Sequence, residues 1–371
     1  MNDKDFEKVN RLIIIGNGFD LAHGLKTSFQ DFIYSYFQNL IYNLYNENRF
    51  LDELISISSE RSLHLEKHQI EVLTPQQSFL HFKKIENDKT FKIIYTSALF
   101  KHIQSNLESK KWVDIELIYY ALLKMFFRSD TKTSIIKLNS DLEIIKSKLI
   151  DYLGKEQEKY SENADKVLLS QFMEQIDVKE VKSNTLKSNT PPSNYCILNF
   201  NYTEVAKWYL RGLWYPNKLY IPIHGELRGD DRDTQKPVFG FGDELDPNYK
   251  QFEDQNNDEL LKHIKSFKYL QFGHYKALLD FVESRPYQIH IYGHSCGLSD
   301  RTLLNTIFEH ENCISIKPFF YQNNGNDDYE EKSYAIARNF KSKAELRARV
   351  VNKQYCSAMM QPKPTNQKNA Q

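Results

Sequence analysis

The run Arg11-Leu12-Ile13-Ile14-Ile15 breaks off at Gly16-Asn17-Gly18-Phe19-Asp20, and no other feature restricts the possible folds as much. After the arginine the run is apolar and rich in β-branched residues, which leaves no polar face for water, so it reads as a strand buried on both faces, as in a parallel sheet. The glycines after it permit a tight turn and a close backbone approach, and N–H groups at a turn or helix start favour negative charge. Gly16 and Gly18 fit a dinucleotide-binding fingerprint. Leu21, however, stands where its third glycine belongs, and the βαβ unit with an acidic residue about 20 positions on is missing. Taken alone, the loop is equally a tight turn after a buried strand.

Strand signals return far downstream, at 194–199 (NYCILN), 219–223 (LYIPI), 238–241, 288–292 (QIHIY) and 313–319. Helical stretches at 203–211, 258–283 and 300–309 separate several of them, which implies an α/β fold with a mostly parallel sheet. Right-handed crossovers gather the C-terminal strand ends on one edge, where ligands of such sheets bind. Ser28 and Asp31 have capping-box spacing, so a helix should start near Ser28. From about Tyr45 to Val181 the spacing is helical, as in Leu51/Leu54/Ile55 and Leu142/Ile145/Leu149/Leu153, and no good strand run stands out.

The expected organisation is therefore a first α/β part at 10–45, a helical insertion at 46–192 and a second α/β part at 193–325. A C-terminal helical or irregular segment follows at 326–360, with a basic stretch at 332–353 that reads as a solvated helix, then a disordered tail at 361–371. The length of 371 residues suits one large interrupted domain or two packed ones. Lys and Arg number 49 against 49 Asp and Glu, so the basic surplus of a dedicated nucleic-acid surface is missing. No apolar signal core opens the sequence and no run reaches the roughly 18–20 apolar residues of a bilayer span, so a cytoplasmic protein without a membrane partner is expected. Cys196, Cys296, Cys313 and Cys356 lie far apart with neither zinc nor disulfide spacing, and no metal is expected.

Polar residues collect where the strands end. Asn199-Phe200-Asn201-Tyr202-Thr203 follows one strand; an asparagine there offers donor and acceptor to a ribose or a water, although Asn201 or Thr203 also suits a helix N-cap. His224-Gly225 follows the next, where an imidazole is a base near neutral pH. Gly293-His294-Ser295-Cys296-Gly297 follows a third and matches the G-x-S-x-G of a nucleophile elbow. A serine hydrolase would need an acid and a histidine downstream, and Asp300 and His310 lie too close in sequence for that fold. The loop instead offers Ser295 and backbone N–H groups to a phosphate or ribose. Asp20 and His23 on the first loop are further candidates, with Asp20 alternatively a cap. Trp112, Asp114 and Glu116 in the helical block are candidate lid contacts, although Trp112 reads first as a core residue.

The segments IIIGNGFDLAHGLKTSFQDF and IHIYGHSCGLSD closely resemble the bacteriophage abortive infection AbiH family, over roughly residues 10–325. More distantly, the order of loops resembles sirtuin-like NAD-binding domains, in which G-A-G-[IF]-S, T-x-N-[YF]-D, H-G, [VI]-x-F-G-E and G-[TY]-S segments line one pocket. Gly16 to Asp20, Asn199 to Thr203, His224-Gly225, Phe239 to Glu244 and Gly293 to Ser295 would stand for these in order, with Asn201 at the catalytic asparagine. Asn17 replaces the alanine, Asp20 the serine and Thr203 the aspartate, and the zinc-binding cysteines of the deacetylases are missing.

The resemblance implies a sirtuin-like Rossmannoid domain interrupted by the insertion, in a bacterial cytoplasmic anti-phage protein that binds and hydrolyses NAD. Asn201 and His224 would be catalytic. Gly16, Asn17, Gly18, Phe19, Asp20, His23, Asn199, Gly225, Gly242, Gly293, His294, Ser295 and Asp300 would contact the nucleotide. The alternatives are a non-catalytic nucleotide sensor in phage defence and the serine hydrolase on Ser295. A phage-derived trigger and a second copy of the chain are the macromolecular partners to expect.

Overall fold

A computed structural model describes residues 8–59, 70, 72–109, 114–129, 131–160, 162, 164–183, 185–213, 218–227 and 236–362. The apolar run forms β1 (Asn10–Ile15), buried at every residue. After it come α1 (Asn17–Ala22), α2 (Phe29–Glu47), β2 (Arg49–Leu51), β3 (Ile55–Ser59), α3 (Pro75–Glu86), β4 (Phe91–Tyr95), α4 (Ala98–Ser109), α5 (Ile115–Arg128) and α6 (Lys132–Glu158). The chain continues through α7 (Lys166–Phe172), β5 (Tyr195–Asn199), α8 (Val205–Gly212), β6 (Lys218–Pro222), α9 (Pro247–Glu253), α10 (Lys265–Tyr269) and α11 (His274–Ser284). It ends with β7 (Tyr287–Tyr292), α12 (Arg301–Glu309), β8 (Cys313–Phe319), the short strands β9 (Gln322–Asn323) and β10 (Asn326–Asp327), α13 (Tyr329–Arg338) and α14 (Lys343–Arg349). Two compact units result, one of Met1–Leu25, Leu153–Asp254 and His263–Gln371, the other of Lys26–Tyr152 and Gln255–Lys262.

In the first unit β6, β5, β1, β7 and β8 lie side by side in that order, every pair parallel. Leu12 and Ile14 face one core with Leu198, Ile289 and Leu304, while Ile13 and Ile15 face another with Phe19, Phe172 and Tyr209. Two cores explain why Leu12 to Ile15 run on without a polar residue in alternation. In order of appearance the strands read third, second, first, fourth, fifth, the arrangement of doubly wound sheets, whose topological switch lies between β1 and β7. The far side of β8 is covered by the C-terminal segment: Val351 N–H donates to Ile316 O and Met359 N–H to Phe320 O.

Several sequence expectations need correction. The expected strand at 238–241 is a single bridge, Phe241 to Ile264. The expected helix at 258–283 breaks into a short 3-10 turn, α10 and α11, the last with Gly273 as its N-cap. The basic stretch at 332–353 is not one solvated helix; buried Arg349 donates to Phe308 O and His310 O, satisfying the carbonyl end of α12.

The second unit is not purely helical. β2, β3 and β4 form an antiparallel sheet with Ser56 opposite both Leu51 and Ile94. The Ile-Ser-Ile-Ser alternation buries Ile55 and Ile57 on one face, a period-two signal that the 3–4 spacing of Leu51, Leu54 and Ile55 obscured. The expected capping box starts α2: Ser28 accepts from Asp31 N–H. That helix belongs with this unit, because Phe37 packs on Phe79, Phe82 and Phe100. Residues 153–192 return to the first unit, where Leu168 and Phe172 join the core beneath β1. Of the expected tail, 363–371 lies outside the described residues.

Candidate functional site

All five strands of the first unit point one way, so the loops after β1, β5, β6 and β7 share an edge of the sheet. The loops after β1 and β7 meet backbone to backbone: Gly16 N–H donates to Tyr292 O at 3.0 Å and Gly18 N–H to Gly293 O at 2.8 Å. A Cβ on Gly16 would lie 2.4 Å from the His294 Cα, and one on Gly18 2.8 Å from the Gly293 Cα. Gly293 has φ +66°, and its Cβ would lie 2.1 Å from the Phe19 nitrogen. Closure of one loop on the other therefore demands these glycines. With their N–H groups already donated, Gly16 and Gly18 do not form the phosphate cradle that the sequence suggests.

Asp20 occupies α1 just behind this contact and is 1% exposed. Asn201, from the loop after β5, donates through Nδ2 to Asp20 Oδ1 at 2.8 Å and to Gly16 O at 3.1 Å. Thr203 Oγ1 donates to Asp20 Oδ2 at 2.5 Å. Neither Asp20 nor Thr203 is a helix cap; the N-cap of α8 is Glu204, without a side-chain hydrogen bond. Burial pushes the Asp20 carboxyl up to about 7, against the opposing pull of the Thr203 and Asn201 hydrogen bonds. Both acceptors of the Asn201 amide group are internal, so its Oδ1 is the end left to accept a hydrogen bond from a ligand or water.

His224, at the end of β6, lies in a second buried polar group. Its Nδ1 is 3.1 Å from Phe200 O, and its Nε2 is 3.2 Å from Tyr269 Oη and 3.1 Å from Asp300 Oδ1. Lys265 Nζ is 2.8 Å from the same Asp300 oxygen. His294 accepts the Cys296 N–H through Nδ1 and turns Nε2 toward Asp300 Oδ2 at 3.8 Å. The Phe200 ring adjoins both imidazoles, with centroids 5.1 Å from His224 and 4.2 Å from His294. Burial lowers the pKa of His224, and the Lys265 charge lowers it further. Burial likewise holds His294 down to about 4. Asp300 behaves oppositely: burial alone would raise its pKa, but the Lys265 ammonium and His224 outweigh that and hold it below the ordinary carboxylate range. With Nδ1–H donating to Phe200 O, His224 Nε2 carries the lone pair, and the ionised Asp300 beside it would stabilise a proton bound there.

The family model for bacteriophage abortive infection AbiH matches residues 12–322, most of the chain. The chain belongs to the AbiH family. No curated protein matches it. Membership suggests a role in abortive infection by phage. Among the described residues of this AbiH protein, no helix is long and apolar enough to cross a membrane. Nor, among those residues, do three His, Cys, Asp or Glu side chains come together to hold a metal ion.

Other expected site residues take different places in the AbiH chain. Asn199 braces its own loop, donating to Asn201 O, Thr203 O and Tyr220 Oη and accepting the Asn201 N–H, so it faces no ligand. His23 is engaged at both nitrogens, by Phe19 O at 2.7 Å and Tyr209 Oη at 2.6 Å, and Phe19 is a core residue. Asn17 is half-buried at the start of α1, and Gly225 turns the chain with φ +81°. Gly242 abuts the loop after β7: its carbonyl accepts from Thr302 N–H, and a Cβ would lie 2.9 Å from Ser299 O.

Ser295 is exposed, and the left-handed residues of its loop are Gly293 and Cys296, the latter with φ +52°. His310 precedes β8 at the opposite edge of the sheet, since Cys313 pairs with Tyr287 at the start of β7. A six-residue strand separates the two edges, roughly 20 Å, so the hydrolase pairing of Ser295 with His310 fails. Asp114 caps α5 by accepting the Leu117 N–H, which accounts for it without a lid, and Glu116 is buried on that helix in the second unit. Trp112 lies outside the described residues. Lys265 and Tyr269 escaped the sequence reading, because a buried lysine on a short helix has no distinguishing local pattern.

Proposed function

We propose that this AbiH protein binds NAD at the strand-end site and hydrolyses its nicotinamide–ribose bond during abortive infection, in a sirtuin-like pocket. The observation that carries this reading is the Thr203–Asp20 hydrogen bond. Against the sirtuin-like pattern, Asp20 replaces a serine and Thr203 an aspartate, two departures that count separately against the resemblance. The two residues touch, so they amount to one exchange of hydroxyl and carboxylate across a single contact, and Asn201 keeps a carboxylate partner.

In this mechanism Asn201 Oδ1 accepts a hydrogen bond from a ribose hydroxyl or from the attacking water, while Asp20 and Thr203 position its amide. The bond from ribose C1′ to the pyridinium nitrogen breaks, and its electron pair leaves with neutral nicotinamide. Water oxygen bonds to C1′ as oxocarbenium character develops, and the released proton passes to His224 Nε2, with Asp300 compensating the imidazolium charge. Ser295 and the half-buried Asn17 remain as contacts for the phosphates, in place of the closed Gly16–Gly18 backbone.

A nucleotide sensor is the second reading. It is favoured by the fact that both His224 nitrogens already have protein partners in the free chain. Incubating the protein with NAD in extracts of phage-infected and uninfected bacteria, with chromatography of nicotinamide and ADP-ribose, separates the two. Equal amounts of both products support hydrolysis. Saturable NAD binding without product supports the sensor, and neither binding nor product refutes both.

A further inference from the structure

The second unit carries a groove of its own. We infer that the outer edge of β4 is a docking site for an extended acidic segment of a partner protein, which would add a strand to the β2–β3–β4 sheet.

A cavity of about 580 Å³ is lined by Ile93 and Tyr95 of β4, Lys101 of α4, Phe126 of α5, and Ser134 and Lys137 of α6, among others. β4 is one of the two edge strands of this sheet. Thr96 N–H donates to Leu54 O on the β3 side. Hydrogen bonding alternates along an antiparallel pair, so the N–H and C=O of Ile93 point away from β3, and they meet no backbone partner among the described residues. The residue that offers its backbone at the edge thus also lines the cavity. A strand laid along it would be held by main-chain hydrogen bonds and would send every second side chain into the groove.

Charge selects the occupant. Lys89 and Lys92 are exposed beside the edge, Lys101 stands in the groove wall, and none of the three has an ion-pair partner among the described residues. Asp141, the acidic lining residue, is matched by Lys137 at 2.5 Å. Edge lysines repel pairing with another basic strand. The same lysines attract an acidic one.

The test uses the full-length protein and a fluorescent peptide of alternating Glu and Val, with alternating Lys and Val as control. Ile93→Pro removes the outward N–H at an edge position that tolerates proline, and Lys101→Glu reverses the wall charge. Saturable binding of the acidic peptide alone is expected, with slowed hydrogen exchange at the Ile93 amide and at least about tenfold weaker binding in Lys101→Glu. No binding, equal binding of both peptides, or an affinity that Lys101→Glu leaves unchanged overturns the inference. Should Ile93→Pro fail to fold, Lys101→Glu and the exchange measurement decide.

Discussion

Thr203 Oγ1 donates a 2.5 Å hydrogen bond to Asp20 Oδ2, tying the loop after β5 to the loop after β1 beside the amide of Asn201. A hydroxyl and a carboxyl that satisfy each other in a buried site should be exchangeable as a pair but not singly. Thr203→Val is expected to cost about 1.5–3 kcal/mol, because a buried oxygen loses its donor. Asp20→Ser and Thr203→Asp should each destabilise, and the double variant should recover much of the loss in urea denaturation. Simple additivity of the two single changes would show that they do not act as a unit.

Burial raises the Asp20 carboxyl from 3.8 to about 7. The folded chain therefore keeps a proton there that the unfolded chain has already released. This contribution is complete below the unfolded value and declines as pH rises through the folded one. His294, held down to about 4, has the opposite dependence, since the unfolded chain takes up its proton first as pH falls. Comparison with Asp20→Asn isolates the first effect. The variant should gain on the wild type between about pH 5 and pH 8 by on the order of 2–4 kcal/mol, and a difference flat with pH would contradict the assignment.

Backbone contact between Gly18 and Gly293 makes a structural prediction about residues that look like nucleotide ligands. Gly18→Ala and Gly293→Ala should unfold or strongly destabilise the protein, because the added carbon meets backbone that has no room to yield. Gly154→Ala is the control: nothing lies within 4 Å of its new Cβ, and it sits inside α6. That change should stabilise by about 1 kcal/mol. Thermal melts of the three variants test this, and a folded Gly18→Ala protein that merely fails to bind nucleotide would return the glycines to a ligand role.

Lys265 holds Asp300 in the ionised state next to His224. Lys265→Met leaves the buried carboxylate without its cation, with an expected loss of about 3–5 kcal/mol that Asp300→Asn in the same chain should largely restore. Lys265 also lowers the pKa of His224, so the His224 ring should titrate at higher pH in Lys265→Met when followed by NMR. An unmoved titration would mean that the lysine does not act on the imidazole.

The parallel sheet was legible because β1 and β5 carry consecutive apolar residues that stop at glycine or asparagine, and β7 and β8 are rich in β-branched and aromatic residues. β3 was not, since a short strand with one buried face shares its apolar positions with a plausible helix. At the site, order along the chain singled out Asn201 and His224 at strand ends and Asp300 beyond the loop after β7. The partners of Asp20 could not be read there, because its contacts lie about 180 residues away, and Phe19, next to it, belongs to the core. Lys265 was invisible for the same reason: only the fold brings it to Asp300.

The most direct test of the account is nicotinamide release from NAD by the purified protein, wild type against Asn201→Ala, with both shown to be folded by circular dichroism. The account predicts release by the wild type and a loss of about 100-fold or more in the variant, well beyond the loss in Thr203→Val, which also removes a donor from Asp20. Release at the wild-type rate from folded Asn201→Ala would contradict it.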